Sequence, residues 1–193
     1  MKKPDILLAL GPVVDAFEKC GIDYYIGGSV ASSVYGIARA TLDVDVIANI
    51  ADEQVHGFFE LLKTTYYIDE EMILNSIREK SVFNMVHLET MLKIDVFILK
   101  NTSYDKMAFQ RRRKDTLEEE GKTEFYIVSA EDIILNKLEW YRIGGGISER
   151  QWGDILGVFK VQSDLLNMEY LEFWAKELNL TELLNEAIQK AKT

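Results

Sequence analysis

The sequence predicts an α/β (α+β) fold, in which helices flank a mixed sheet and a C-terminal helical bundle follows. Up to residue 128, β-prone runs such as DVDVI, SVFNMVHL and KIDVFIL alternate with stretches of helical periodicity. From residue 129 onward the pattern is helical. The chain has 193 residues, of which 48% are hydrophobic, so it can bury a core of ordinary size.

Periodicity and end signals place the elements of the first part in order. A helix is expected over residues 4–20, closed by Gly21, and its predicted apolar side consists of Ile6, Leu10, Val13, Val14 and Phe17. SVFNMVHL and LKIDVFIL stand close enough to predict an antiparallel hairpin. The other elements predicted up to residue 128 are strands over 23–26, 42–47 and 124–128 and helices over 29–37, 52–63, 70–80 and 103–117, the last capped by Ser103.

Beyond residue 128, two capping boxes mark the starts of helices. SAED begins a helix that a glycine run ends at residues 144–146, and SERQ begins a second helix. MEYLEFWAKEL and TELLNEAIQKA add two amphipathic stretches. Trp140, Trp152 and Trp174 are expected to be core or packing residues of the bundle, and base stacking by one of them is an alternative that no other residue supports. The predicted boundary separates an α/β domain, residues 1–128, from a helical subdomain packed on it, residues 129–193.

A glycine pair stands where a short β-prone run, YYI, gives way to a helix in GGSVASSVYG. The first amides of a helix lack internal partners, so a strand, a tight turn and a helix start can bind a phosphate. Gly27 and Gly28 would let the phosphate approach the backbone, and Ser29 would cap the helix and offer its hydroxyl. Taken alone, the turn is explained as simply by an ordinary strand-to-helix connection. The glycine spacing does not match the dinucleotide-binding pattern.

Two aspartates follow in TLDVDVI, and a third stands in LKIDVFIL. Asp43 and Asp45 share one face of a strand, with α carbons roughly 6.6 Å apart. Carboxylates at this spacing can share a divalent cation, and the lack of nearby His or Cys favours Mg²⁺ or Mn²⁺ over zinc. Asp95 would hold a second ion or act as base toward an acceptor hydroxyl. Each motif alone is explained by an ordinary strand, but Asp45 and Asp95 lie among apolar residues, where an unpaired carboxylate is costly.

Composition limits the classes of partner. The formal charge of −10 predicts repulsion from nucleic acid at long range, so general nucleic-acid binding is not expected. The basic run at residues 111–114 is either a solvated helix end or a local binding site for triphosphate or for an RNA acceptor. No apolar run reaches membrane length, no signal peptide is expected, and the single cysteine, Cys20, fits a reducing cytoplasm.

GGS, the acid pair in ARATLDVDV and the third acid in IDVF together resemble the nucleotidyltransferase superfamily that shares its minimal domain with DNA polymerase beta. The likeness is greatest to AbiEii toxin-related and uncharacterised nucleotidyltransferase-like prokaryotic proteins. SAEDIILNKLEWYR and WGDILGVF resemble the helical half of such proteins. The resemblance implies a mixed sheet of the polymerase beta-like type, flanked by helices.

The resemblance also implies roles for single residues. The positions that match functional residues of the family are Gly28 and Ser29 at the triphosphate and Asp43, Asp45 and Asp95 at the metal. Lys137 resembles a lysine that reaches the nucleotide from the helical half. Arg39, between the glycine turn and the acids, is either a phosphate-neutralising residue or a surface arginine. Asp154 either assists Lys137 at the nucleotide or lies on a solvated helix face, and the second interpretation is the simpler expectation.

The function these features favour is metal-dependent transfer of a nucleoside monophosphate from a nucleoside triphosphate to a hydroxyl acceptor. The acceptor is a protein, a tRNA or a small molecule, and the resemblance suggests a toxin–antitoxin or defence setting with a cognate partner protein. Three alternatives stay open at this point. They are a catalytically silent nucleotide-binding regulator, a metal-dependent glycosyltransferase using the Asp-x-Asp pair, and a phosphatase with Asp43 as covalent nucleophile.

Overall fold

The computed structural model describes residues 5–116 and 124–192. Within them the chain forms two compact units. The first takes the chain up to Gly27 and again from Thr41 to Ile127, and the second takes Gly28–Ala40 and the chain from Val128 onward. The residues of the predicted glycine turn are therefore divided, with Gly27 in the first unit and Gly28 and Ser29 in the second.

The first unit contains a sheet with seven strands in the described residues. They are β1 (Asp23–Ile26), β2 (Asp43–Asn49), β3 (Tyr66–Tyr67), β4 (Val82–His87), β5 (Lys93–Ile98), β6 (Arg113–Thr116) and β7 (Glu124–Ile127). Their order across the sheet is β3-β4-β5-β2-β1-β7-β6. β2 runs parallel to β5 and β1 runs parallel to β7, whereas the other neighbours are antiparallel. The predicted mixed sheet is confirmed, and so is the β4–β5 hairpin.

The residues that the structure describes also form nine α-helices. They are α1 (Asp5–Lys19), α2 (Gly28–Tyr35), α3 (Asp52–Leu62), α4 (Glu70–Glu79), α5 (Ser103–Gln110), α6 (Ala130–Ile143), α7 (Glu149–Gln162), α8 (Met168–Glu177) and α9 (Thr181–Ala191). α1, α3, α4 and α5 belong to the first unit, and α2 and α6 to α9 belong to the second. No helix among these is both long and apolar enough to cross a membrane.

The amphipathic pattern of α1 supplies one side of the first unit's core. Leu10, Val13, Val14 and Phe17 are buried, as the spacing predicts, whereas Ile6 is only partly buried. The Phe17 ring stacks on Tyr24 of β1 at 5.1 Å and on Phe58 of α3 at 5.0 Å, measured between ring centroids. Apolar residues spaced at three and four positions therefore join a helix to the sheet and to a second helix.

The central strands alternate buried and half-buried side chains. In β2, Val44, Val46 and Ala48 are fully buried, whereas Asp43 and Asp45 are half-buried. β5 shows the same alternation, with Ile94, Val96 and Ile98 buried between less buried positions. Because successive side chains of a strand point to opposite faces, the carboxylates in these apolar runs share one face of the sheet.

The helix predicted over residues 103–117 is shorter than expected. α5 ends at Gln110, and Thr102 rather than Ser103 caps it, since the Thr102 hydroxyl accepts a hydrogen bond from the Asp105 amide at 3.0 Å. Part of the basic run then forms β6, which pairs with β7. The sequence missed this strand and the two-residue β3, because neither has the apolar alternation that marks a strand. Residue 117 lies outside the described residues.

Serine caps begin two helices of the second unit, as the capping boxes predict. The Ser129 hydroxyl accepts from the Asp132 amide at the start of α6, and the Ser148 hydroxyl accepts from the Gln151 amide at the start of α7. Trp174 is buried as a core residue, whereas Trp140 is 54% exposed and so is not part of the core. Trp140 stands near the end of α6, after Leu138, the last buried residue of that helix.

Candidate functional site

Three acids selected from the sequence lie together on the half-buried face of the sheet. β2 and β5 pair in parallel, and their register sets Asp45 level with Asp95. Asp43 lies two residues earlier on β2 and is level with Lys93. All four side chains share a face because they occupy alternating positions of two strands in register. This face therefore carries three carboxylates and one ammonium group, which we call the acid cluster.

Neighbouring side chains contact the carboxylates of Asp43 and Asp95. Asp43 Oδ1 accepts a hydrogen bond of 2.6 Å from the Thr41 hydroxyl. Asp95 Oδ2 lies 2.7 Å from Lys93 Nζ, and the exposed fractions of the two side chains are 16% and 46%. The hydrogen bond to Asp95 raises the pKa of Lys93, and the nearby charges of Asp43 and Asp45 act in the same direction. Lys93 therefore stays cationic beside the acids.

The donors in the acid cluster fit a hard divalent cation. They are carboxylate oxygens, which Mg²⁺ and Mn²⁺ prefer to nitrogen or sulfur. In the residues that the structure describes, however, no three His, Cys, Asp or Glu side chains converge as a preformed metal site. Asp43 Oδ1 and Asp95 Oδ2 each contact a protein partner instead, the Thr41 hydroxyl and Lys93 Nζ respectively. Metal binding at these acids would require side-chain rotations but no change of strand register.

His87 lies away from the acid cluster. It is buried on the opposite face of β4, where its ring packs 5.2 Å from that of Tyr66 and Nδ1 lies 2.9 Å from the Thr90 hydroxyl. The β4 residue level with Asp95 is instead Asn84, which is exposed. Sequence reasoning overlooked Lys93 as well as Asn84. The signal for Lys93 was its position two residues before Asp95, which places both on one face.

The backbone of the glycine turn is fixed on both sides of the boundary between the units. In the first unit, the Gly27 amide donates to the Asp45 carbonyl at 2.9 Å, which ties the start of the turn to the strand of the acids. In the second unit, Gly28 begins α2 with a φ of +53°, a conformation that side-chain-bearing residues rarely adopt. The sequence predicted a turn that needs glycine, and Gly28 meets that need.

Ser29 is the second residue of α2 and takes part in an ionic network of the second unit. Its hydroxyl accepts a hydrogen bond of 2.6 Å from Arg39 Nη2. The same guanidinium binds Asp154 with two contacts, Nε to Oδ1 at 2.7 Å and Nη2 to Oδ2 at 2.8 Å. Arg39 is therefore no simple surface arginine, since only 24% of its side chain is exposed.

Lys137 binds the same carboxylate as Arg39. Its Nζ lies 2.8 Å from Asp154 Oδ2 and donates to Gln151 Oε1 at 3.0 Å, and the whole residue is 4% exposed. Burial alone would raise the pKa of Asp154, but hydrogen bonds from Arg39 and Lys137 outweigh it and hold that pKa below the usual range. The expectation of a solvated Asp154 is wrong, because α7 turns this residue into the network.

Two glycines allow the helices that carry this network to approach closely. A β carbon built on Gly36, just after α2, would lie 2.8 Å from the backbone of Gly157 and Val158 in α7. That distance is shorter than any ordinary contact, so only glycine fits there without movement. Ser29, Arg39 and Asp154 can meet because α2 lies directly against α7. We call Ser29, Arg39, Lys137, Gln151 and Asp154 the basic network.

The basic run at residues 111–114 has structural partners. Arg112 donates to the Phe109 carbonyl and to Asp23 Oδ1, both at 2.8 Å. Its guanidinium also lies over the rings of Phe109 and Tyr126, at 4.4 Å and 4.9 Å from their centroids. Lys114 pairs with Glu124 across β6 and β7 at 3.1 Å. These contacts favour a packing role for the run over a handle for triphosphate or RNA.

No protein-family model matches this chain, and no curated protein does so either. Solved structures do resemble it. The crystal structure of ANT(2″)-Ia in complex with adenylyl-2″-tobramycin has a TM-score of 0.63 at 12% identity, covering 91% of this chain and 98% of that chain. The solution structure of antibiotic-resistance factor ANT(2″)-Ia has a TM-score of 0.55 at 10% identity, covering 96% and 94%.

A third solved structure extends the same likeness. The crystal structure of an antigenic nucleotidyltransferase-like protein from Paracoccidioides brasiliensis has a TM-score of 0.50 at 16% identity, covering 96% of this chain and 93% of that chain. At such low identities the likeness establishes the fold but not the role of any residue. The chain therefore has a nucleotidyltransferase fold, as its glycine turn and acids predicted.

Proposed function

We propose that this protein is a metal-dependent nucleotidyltransferase, which moves a nucleoside monophosphate from a nucleoside triphosphate to a hydroxyl acceptor. The observation that carries the proposal is the register of β2 and β5, which sets Asp45 level with Asp95 and leaves Asp43 on the same face. The nucleotidyltransferase fold supports it. Two ordinary strands with one solvent-facing side would not need carboxylates at three half-buried positions.

Asp43, Asp45 and Asp95 are proposed as the groups that hold Mg²⁺ or Mn²⁺. The cation, when bound, would offset the negative charge that develops on the entering and leaving oxygens. In the transfer, a bond forms between the acceptor oxygen and the α-phosphorus, and the bond to the bridging oxygen of the β-phosphate breaks. Pyrophosphate leaves with the bonding electron pair, and the acceptor's proton is proposed to pass to Asp95.

The glycine turn and the basic network are proposed to bind the triphosphate. Gly28 and Ser29 offer backbone amides at the start of a helix, where anions are favoured. Gly27, whose own amide is bound to the Asp45 carbonyl, is proposed to let the phosphate approach the backbone. Arg39 and Lys137 would neutralise phosphate charge. Asp154 holds both side chains in place without nucleotide, so phosphate oxygens would compete with its carboxylate for the same donors.

The acceptor is proposed to be a small hydroxylated molecule in preference to a tRNA or a protein. The solved complex of ANT(2″)-Ia carries adenylyl-2″-tobramycin, which supports a small molecule as the class to test first. The AbiEii-like resemblance supports a toxin–antitoxin or defence setting with a tRNA or protein acceptor and a cognate partner protein. A cytoplasmic location, where nucleoside triphosphates are abundant, fits either setting.

The direct test uses each of the four nucleoside triphosphates labelled at the α-phosphate, with Mg²⁺ and three acceptor pools. These are a panel of hydroxylated antibiotics, total tRNA and a protein extract. We expect labelled product in one pool, and we expect Asp43→Asn combined with Asp45→Asn to reduce its rate at least about a thousandfold. The matched control is Asp15→Asn combined with Glu18→Gln, which removes two exposed charges from α1 and should change nothing.

Two other outcomes of this test have clear meanings. Triphosphate binding without labelled product or pyrophosphate would favour the catalytically silent nucleotide-binding regulator. Failure to bind any nucleoside triphosphate in the presence of Mg²⁺ or Mn²⁺ would contradict the proposed function. Isothermal titration calorimetry with a non-hydrolysable triphosphate separates these two outcomes.

A further inference from the structure

The place of Lys93 in the acid cluster is fixed by strand register. It is level with Asp43 on the neighbouring strand, and two residues before Asp95 on its own strand. Its Nζ lies 2.7 Å from Asp95 Oδ2. A lysine at an alternating position of β5 must share the face of the acids, so its ammonium lies where a cation bound by Asp95 would lie.

The charges of the cluster decide how many divalent cations suit it. Three carboxylates and one ammonium group leave two negative charges in excess, which one divalent cation neutralises. A second divalent cation would create an equal excess of positive charge and would have to displace Lys93 from Asp95. Like charges at a few ångströms repel strongly even with partial screening by solvent.

We propose that the ammonium group of Lys93 takes the place of a second divalent cation at Asp95, so that the protein without nucleotide binds one such ion. The inference rests on the proposed function, because it takes Asp43, Asp45 and the Asp95 oxygen that does not face Lys93 as the groups that hold this ion. Lys93 is a positioning residue in this scheme. It orients the Asp95 carboxylate, and it lowers the affinity of the cluster for divalent cations.

The test measures Mn²⁺ binding to the whole protein without nucleotide, by electron paramagnetic resonance of free Mn²⁺ and by calorimetry. The wild-type protein should bind one ion. Lys93→Met, which removes the charge at similar length, should bind Mn²⁺ at least about tenfold more tightly or bind a second ion. Lys93→Arg, which keeps the charge, should stay within about twofold of wild type.

Two further variants control for the loss of the hydrogen bond to Asp95 and for the change in net charge. Lys93→Gln removes the charge but can still donate a hydrogen bond to Asp95, so it should fold and should match Lys93→Met in Mn²⁺ affinity. Lys114→Met removes a lysine whose ion pair with Glu124 lies at the other edge of the sheet. It changes the net charge of the protein by the same amount as Lys93→Met. Because Lys114 lies far from the acids in the strand order, Mn²⁺ binding should stay unchanged.

The failure of this inference differs from failure of the proposed function. Equal affinity and equal stoichiometry in wild type and in the neutral Lys93 variants would overturn the role of Lys93 and leave the metal site intact. No Mn²⁺ binding to any of these proteins, with or without nucleoside triphosphate, would overturn the metal site and this inference with it. Tighter binding only in the neutral Lys93 variants supports the inference.

Discussion

Asp154 is the residue on which the basic network depends, because it holds Arg39 and Lys137 at once. Asp154→Asn would leave the Lys137 ammonium, in a residue only 4% exposed, without its charge partner. Breaking a buried ion pair from one side costs about 3–5 kcal/mol of unfolding free energy. We expect a loss near the lower end of that range, since the Arg39 side chain is 24% exposed and can turn to solvent. Urea unfolding at pH 7 measures it.

The same carboxylate predicts a pH dependence of stability. Its pKa is lower in the folded protein than the ordinary value of 3.8. A depressed folded pKa stabilises the fold above the unfolded pKa, and this contribution is lost as pH falls through the folded pKa. The difference in unfolding free energy between wild type and Asp154→Asn should therefore be constant above about pH 5 and shrink below about pH 4. A constant difference down to pH 2.5 would contradict this.

Residue-scale prediction from the sequence succeeded where a single strand decides the outcome. The alternation in TLDVDVI and LKIDVFIL is enough to place Asp43, Asp45 and Asp95 on polar faces. Asp154 could not be placed in this way. Its surroundings depend on a residue 115 positions earlier in the chain, Arg39, and no periodicity within α7 encodes that contact. The roles proposed for all four acids stay predictions.

At the scale of elements, the close approach of α2 and α7 is what assembles the basic network. Gly36→Ala would bring a β carbon to 2.8 Å from the α7 backbone, which no side-chain rotation relieves. Separating the two helices should cost about 1–3 kcal/mol of unfolding free energy. Because Ser29 and Asp154 stand on these two helices, the affinity for triphosphate should fall as well, which calorimetry measures.

A matched control exists within α7 itself. A β carbon added at Gly153 meets nothing within 4 Å. Gly153→Ala should therefore stabilise the protein by about 0.5–1 kcal/mol, because alanine loses less backbone entropy than glycine when a helix forms. If Gly36→Ala and Gly153→Ala shift the urea midpoint in the same direction, close helix contact is not what Gly36 provides.

Elements with strong local signals were predicted, and those that depend on neighbours were not. Ser129 and Ser148 cap the two helices whose starts the SAED and SERQ motifs predict. β6 has the burial of an exposed edge, with no apolar side chain among Arg113, Lys114, Asp115 and Thr116, and it exists because β7 supplies hydrogen-bonding partners. The helical pattern of residues 103–110 could not indicate where α5 stops. Tertiary pairing overrides local preference at such positions.

At the scale of the whole molecule, the predicted mixed sheet and helical bundle are both present. The prediction divided the chain once, after residue 128, whereas each of the two units consists of two separate segments of the chain. Residues 28–40 group with the C-terminal helices although they lie between β1 and β2. A segment that leaves a sheet and returns to it can bury its apolar side in another unit, and sequence order alone gives no sign of that. Helical periodicity in VASSVYG was sufficient to predict the helix but not its packing partners.

The formal charge of −10 makes a prediction about the acceptor that does not depend on any single residue. An acidic protein attracts a cationic small molecule and repels a polyanion, and salt weakens both effects. With a cationic antibiotic as acceptor, KM should rise several-fold between about 50 and 500 mM salt, whereas KM for an uncharged acceptor should change little. With tRNA as acceptor, KM should instead fall over the same range, because screening removes the repulsion. Steady-state kinetics at fixed Mg²⁺ and saturating triphosphate distinguish the two, and a KM that rises with salt for tRNA would require a local basic surface strong enough to overcome the charge of the whole protein.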